Sequence, residues 1–260
     1  MSARALAACA ALGFALSACA AGRMEPAEPI VTDRPDFTES TETVPAGMVQ
    51  AEGGWTFARR GAERERSIGE LLVRVGAGRR TELRLDLGSY AVTSAGSESV
   101  RGLEDVGIGA KVRLLEGADR PGSARPALSL LAGATLPTGA RAVRENALQP
   151  EAKLAAGWAL ADRLSLGVNV NYAWASESGR RFGQTAASAS LGYELSTRVG
   201  GYVEGFAFAP RSRGGPTTGY VNGGLTYQLY DALQLDARGG VRAGAAAGDY
   251  FVGIGLARRW

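Results

Sequence analysis

The chain of 260 residues has no histidine and only two cysteines, Cys9 and Cys19, both near its start. Without histidine the usual Ser-His and Asp-His routes to an activated nucleophile are excluded. No spacing points to a Ser-Lys or paired-carboxylate site instead, so no enzyme is expected. Metal clusters need Cys or His, and past residue 18 only Cys19 remains, so no metal and no other cofactor is expected. A disulfide within the mature chain is excluded too, which leaves burial and pairing to hold the fold. Lysine is almost missing: Lys111 and Lys153 stand alone among arginines. A net charge of +3 without any recognisable binding pattern gives no case for nucleic acid.

What is abundant is glycine, 37 residues against 10 prolines. That is about twice the usual share of about 7%, with no collagen period. Each glycine costs a helix about 1 kcal/mol relative to alanine, so long helices are disfavoured and turns and close backbone contacts are favoured. Gly107-Ile-Gly-Ala and Gly253-Ile-Gly-Leu fall inside expected strands, so neither is a phosphate-cradling loop.

Residues 1–18 read as an export signal: one basic residue, Arg4, an apolar run from Ala5 to Leu16, then small residues. The run is too short for a membrane-spanning helix. Leu16-Ser-Ala-Cys19 resembles a bacterial lipobox, which would make Cys19 a lipidated first residue; ordinary cleavage between Ala18 and Ala21 is the alternative. Residues 19–45 form an acidic segment, and 46–260 carry a different signal, period two.

Leu83, Leu85 and Leu87 alternate with Glu82, Arg84 and Asp86. Leu166, Val168 and Val170 face away from Asn169 and Asn171, and 233–241 repeats the pattern. Strict alternation places one chemistry on each face of a strand. It predicts about twelve strands near 47–58, 67–76, 80–92, 104–115, 126–136, 149–160, 164–175, 182–195, 199–209, 218–229, 233–243 and 249–260. Most are about 10–14 residues long, enough for a tilted bilayer crossing, which needs roughly 9–11. Short connections (76–80, 161–163, 196–198, 230–232) alternate with longer ones (59–66, 93–103, 137–148, 176–181, 210–217), and only 116–125 breaks the rule. That asymmetry belongs to an all-β antiparallel transmembrane barrel of the outer-membrane type, preceded by an N-terminal polar segment.

The last strand, Asp249-Tyr-Phe-Val-Gly-Ile-Gly-Leu-Ala-Arg-Arg-Trp260, sets Val252, Ile254, Leu256 and Trp260 on one face. It resembles the terminal signal by which outer-membrane barrels are inserted, so the barrel-insertion machinery is an expected partner. Arg258 on that face can snorkel to headgroups.

Thr32-Asp-Arg-Pro-Asp-Phe-Thr-Glu-Ser40, with Val44-Pro-Ala-Gly47, Val49-Gln-Ala-Glu-Gly, Asp105-Val-Gly-Ile-Gly-Ala-Lys-Val-Arg-Leu114 and Ala134-Thr-Leu-Pro-Thr-Gly139, resembles the family labelled meta-pathway of phenol degradation. The resemblance covers about 30–260 and is most specific in 32–55. It implies a bacterial outer-membrane, transporter-like barrel that passes small, often aromatic or hydrophobic compounds. On the residues themselves, residues 20–45 have two readings. With six acids against Arg23 and Arg34 they make a solvated tether. Alternatively Asp33, Arg34, Asp36, Phe37 and Glu39 fold back as a plug against lumen arginines.

With Leu and Val faces turned to lipid, the lumen receives Glu70, Arg74, Glu82, Arg84, Asp86, Asp105, Lys111, Arg113, Glu151, Lys153, Glu204, Asp236 and Arg238. The near balance of acids and bases fits a cross-braced wall or a weakly selective pore lining. Tyr202, Glu204, Phe206 and Phe208 on 199–209 would point inward, joined by Tyr220 and by Tyr90 and Phe251, as a lining for a small apolar or aromatic ligand or as space filling. Arginines in the long connections (Arg59, Arg60, Arg64, Arg66, Arg101, Arg141, Arg144, Arg180, Arg181, Arg211, Arg213) suit lipopolysaccharide phosphates or simple solvation. Two functions follow: a narrow channel for small, hydrophobic or aromatic solutes, or a structural or adhesion-type envelope barrel with a sealed lumen.

Overall fold

The structure, a computed structural model, describes residues 29–244 and 248–260. The export signal and Cys19 lie outside the described residues. The strands are β1 (Val49–Arg60), β2 (Glu63–Gly78), β3 (Thr81–Asp86), β4 (Tyr90–Ala95), β5 (Glu98–Leu103), β6 (Val106–Leu115), β7 (Ala127–Leu136), β8 (Gln149–Ala161), β9 (Leu164–Glu177), β10 (Arg180–Glu194), β11 (Val199–Ala209), β12 (Thr218–Tyr230), β13 (Leu233–Arg242) and β14 (Tyr250–Arg259). No helix occurs among the described residues.

Neighbours pair antiparallel, and β14 returns to β1 from Gln50↔Arg259 to Arg59↔Tyr250, which closes the sheet. β2 pairs with β3 through Leu72–Gly78 and with β4 through Glu63–Ile68, on the same edge. β4 then pairs with β5, and β3 with β6. β3 with β4, and β5 with β6, therefore each make one wall strand with a break in it, so the fold is a closed antiparallel barrel of twelve wall strands. Closure leaves no sheet edge, the condition for strands to cross lipid.

The side chains are inside out relative to a water-soluble domain. Val203, Leu225 and Ile254 are 61%, 54% and 59% exposed on the outer wall, whereas Glu52, Arg74, Glu82 and Lys111 are fully buried within. An outer surface of this kind is stable only against lipid.

Two irregularities reset the alternation. On β2, Gly69 and Glu70 take positive φ (108° and 42°) and form a bulge, so Ser67 and then Glu70, Leu72 and Arg74 all face inward. Between β3 and β4, Gly88 has φ 65°, and a Cβ there would lie 2.9 Å from the Asp105 carbonyl oxygen. This break turns Tyr90 outward, opposite Ile68 and Leu103, and corrects its expected place in the lumen. Asp105 also leaves the lumen set. Its carboxylate accepts the backbone N–H groups of Gly139 (2.8 Å) and Glu145 (3.1 Å) and fastens the 137–148 connection.

The expected long connections 59–66, 93–103 and 176–181 contract to turns at 61–62, 96–97 and 178–179. Beyond the lipid band both strand faces are wet, so hydrophobic alternation stops while backbone pairing continues. Arg59, Arg60, Arg64, Arg66, Arg101, Arg180 and Arg181 therefore sit on strands near the far rim, opposite the rim where β1 begins and β14 ends. At the far rim, Asp249 accepts the Gly61 N–H at 2.7 Å and pairs with Arg242 at 3.3 Å. These contacts, the backbone N–H first, hold its carboxyl below the usual carboxylate range.

Arginine at Val203, mid-strand on the outer face, is expected to cost roughly 2–4 kcal/mol of stability. Denaturant titration of V203R refolded into lipid vesicles measures this; an unchanged midpoint would mean that this face does not meet hydrocarbon.

Candidate functional site

Pro35 and Pro45 keep residues 29–48 from adding a strand, so their backbone N–H groups need acceptors elsewhere. The lumen wall supplies them. The segment enters at the rim that carries the strand termini, where the Ile30 N–H donates to the Asp231 carbonyl (2.8 Å) and the Gln234 amide donates to the Thr32 hydroxyl (2.8 Å). Glu52 accepts the N–H groups of Asp33 (2.9 Å) and Arg34 (3.1 Å). At the apex Glu204 accepts the N–H groups of Phe37 (2.9 Å) and Thr38 (2.6 Å) and the Asn222 amide (2.5 Å). On the way back Ser129 donates to the Thr41 carbonyl (2.6 Å) and Glu82 accepts the Val44 N–H (2.8 Å), before the chain enters β1.

Charge fixes the same path. Asp33 meets Lys111 at 2.9 Å, Arg84 at 2.6 Å and Arg74 at 3.4 Å. Arg74 also bridges Glu52 (2.8 Å) and Glu82 (2.9 Å). Glu39 pairs with Lys153 and with Arg84 at 3.0 Å, and Glu42 with Arg113. Arg34 reverses the polarity, reaching Glu70 at 2.7 Å and Asp236 at 3.4 Å. It fits because Gly54 and Gly255 lie opposite each other on β1 and β14; a Cβ on either would overlap its guanidinium. Arg238 donates to the Pro35 carbonyl and to the Thr56 hydroxyl, both at 2.9 Å. Asp33, Glu39 and Glu42 thus face wall bases and Arg34 faces wall acids, whereas Asp36 makes no ion pair among the described residues. Charges removed from water persist only when paired in this manner.

Of the residues expected to form the lumen charge network, Glu82, Arg84, Lys111, Arg113, Asp236 and Arg238 all contact the segment. Asp86 stands apart: its carboxylate accepts the Gly88 N–H at 2.8 Å and faces a cavity. Gln50, Glu52, Ser129, Asn222 and Gln234 went unrecognised. Alternation places Gln50 and Glu52 on the inner face, but the segment's demand for acceptors leaves no period in the strands.

The aromatic expectation divides. Phe206 stacks between Phe37 (4.7 Å, 17°) and Tyr220 (5.0 Å, 15°), with Phe208 edge-on to Phe37 at 5.3 Å and Phe251 6.5 Å from Phe206. Tyr202 and Glu204 are not part of this group. Glu204 is spent on the segment, and Tyr202 lies on its other side, in a cavity of about 490 Å³ that also touches Thr226 and Gln234. Four residues of strand separate Tyr202 from Phe206, roughly 13 Å at 3.3 Å each, and the apex of the segment comes between them.

Two further cavities open on the far side. One, of about 250 Å³, has Phe37, Phe206, Tyr220 and Phe251 on its walls and Arg59, Arg60 and Arg211 towards the rim. The other, of about 330 Å³, touches Asp86, Glu151 and Lys153. Residues 34–39 separate these two from the cavity below, and Asp36 borders space on both sides.

A family model described as "Putative MetA-pathway of phenol degradation" matches residues 32–260, from the lumen segment to the last strand. The chain belongs to this family. The fold agrees with solved structures: the COG4313 outer membrane channel from Pseudomonas putida F1 is 14% identical, with a TM-score of 0.64 over 88% of this chain and 100% of that one. The NanC porin is 11% identical (TM-score 0.54, 81% and 98% covered) and the KdgM porin 11% (TM-score 0.51, 80% and 98% covered). At these identities the likeness is one of fold. No curated protein matches the sequence. The family match begins at Thr32, whose hydroxyl accepts the Gln234 amide at the rim where the segment enters the lumen.

Breaking a buried pair by removing one partner costs about 3–5 kcal/mol, whereas partly exposed pairs contribute about 1 kcal/mol or less. Arg74→Met should therefore lower stability by the larger amount and Arg113→Met, whose partner Glu42 is half exposed, by the smaller. Tryptophan fluorescence during denaturant titration compares them; equal losses would show that burial does not set the strength of the seat.

Proposed function

We propose that this chain is an outer-membrane channel for small, hydrophobic or aromatic solutes, with residues 29–48 as a plug that narrows its bore. The rim bearing the strand termini faces the periplasm and the far rim faces outward. The observation that carries this reading is the seating of the segment between cavities on both sides of it. A structural barrel could fill its lumen with bulky wall side chains. Here the wall instead provides small residues and acceptors shaped to one stretch of chain.

Asp33, Arg34 and Glu39 are the electrostatic latches of the plug, Phe37 is its tip, and Asp36 borders the path around it. The aromatic stack at Phe206 and Tyr220 supports an apolar or aromatic permeant, because apolar pockets with a few polar anchors select by shape and ring contact. Transport is passive and non-enzymatic in this reading. Acids and bases nearly balance along the wall, so preference for simple anions or cations is weak.

Planar-bilayer conductance of the refolded chain tests it. Deletion of residues 29–45 is expected to give larger and longer openings than the full chain, and Phe206→Ala should raise permeability to small neutral aromatics. Silence from the full chain and from a deletion that still refolds would overturn the channel and leave a sealed structural barrel.

A further inference from the structure

We propose that the far-side cavity of about 250 Å³, walled by Phe37, Phe206, Tyr220 and Phe251, is a recognition site for a single-ring aromatic carboxylate. This deepens the channel reading and rests on it only for the assumption that the bound molecule goes on to cross. Four arginines border the cavity, Arg59, Arg60, Arg211 and Arg238, against two carboxylates, Glu65 and Asp249. Both carboxylates are already engaged, Glu65 with Arg60 at 2.5 Å and Asp249 with Arg242 at 3.3 Å. The cavity therefore presents surplus positive charge, which rejects cationic rings and invites an anion.

Arg211 shows where the anion would sit. Its guanidinium lies over Phe208 at 5.2 Å and over Tyr220 at 5.4 Å, and among the described residues its side chain makes no ion pair or hydrogen bond. A guanidinium stacked on rings keeps its N–H edge free, and that edge matches the two oxygens of a carboxylate. Lower down, Arg238 carries a buried Nε–H with no acceptor. Its guanidinium stands 5.8 Å from the Phe251 ring and pairs with Glu70 at 3.7 Å, so the unpaired charge at the cavity rests on Arg59 and Arg211.

The rest of the surface suits the ring. Phe206 and Tyr220 are nearly parallel, and Phe251 meets Tyr220 at 61°. A planar guest can add to such a cluster by offset or edge contacts. At about 250 Å³ the cavity is smaller than the roughly 300–1,000 Å³ of drug-sized pockets, so one ring with one substituent is the guest it admits. Aliphatic acids would satisfy Arg211 and leave the rings bare; neutral aromatics would do the reverse.

Calorimetric titration of the refolded full chain with benzoate, benzyl alcohol and acetate tests the assignment. Benzoate is expected to bind at least tenfold more tightly than either of the others. Arg211→Met should bring benzoate down to the level of benzyl alcohol measured on the same variant. Arg211 lies in a surface connection, and heat-modifiability on gels verifies that the variant folds; Arg59→Met, at the same cavity, gives a second variant with a smaller expected loss. Equal binding of benzoate and benzyl alcohol, or benzoate binding indifferent to both substitutions, would overturn the proposal. Conductance without benzoate selectivity would sink this site and spare the channel. Selective binding without conductance would do the opposite.

Discussion

Asp33 is the contact on which the interior depends. One carboxylate from a segment outside the barrel wall neutralises Lys111 and Arg84 and reaches Arg74, three cations donated by three different strands. Without it the three would have to share Glu82, which lies 2.9, 2.8 and 3.8 Å from Arg74, Arg84 and Lys111. Around it the same logic spreads to Glu39, Glu42 and, with signs reversed, Arg34. The wall cannot be understood as a finished object that later received the segment, because its charges are complete only with the segment in place.

The aromatic cluster follows from that placement. Phe37 reaches the rings of Phe206 and Phe208 because Glu204 and Glu52 hold the backbone of the segment at two heights. The tip then becomes a wall of the outer cavity. Ring stacking adds about 0.5–1.5 kcal/mol beyond area burial for a pair, less than the buried ion pairs contribute to position. Charge sets where the segment goes, and the rings finish its surface.

The strands were readable in the sequence because lipid on one side and polar groups on the other impose period two on every crossing. Strand number, antiparallel order and the inward set Glu82, Arg84, Lys111, Arg113, Asp236 and Arg238 all follow from that period. Where the period lapses, reading fails for physical reasons. Glu63 to Arg66 look like a loop because both faces of β2 are wet there, although the backbone stays paired. Gly88 changes which face Tyr90 occupies without altering composition. The inward fold of the segment was foreseeable from its acids and Phe37 but not demonstrable, since its partners are spread from about 20 to more than 200 residues away along the chain, as Glu52 is from Asp33 and Arg238 from Pro35.

The mixing of wall charge has a consequence of its own. Arg74, Arg84, Lys111 and Lys153 share β2, β3, β6 and β8 with Glu70, Glu82, Asp86 and Glu151, and Arg238 shares β13 with Asp236. Acids and bases are interleaved along the same arcs, so departure of the segment would uncover a mosaic of both signs rather than a field of one. A passing molecule would meet polar groups of either charge at every height, and sorting by sign would fall to the rims instead of the bore.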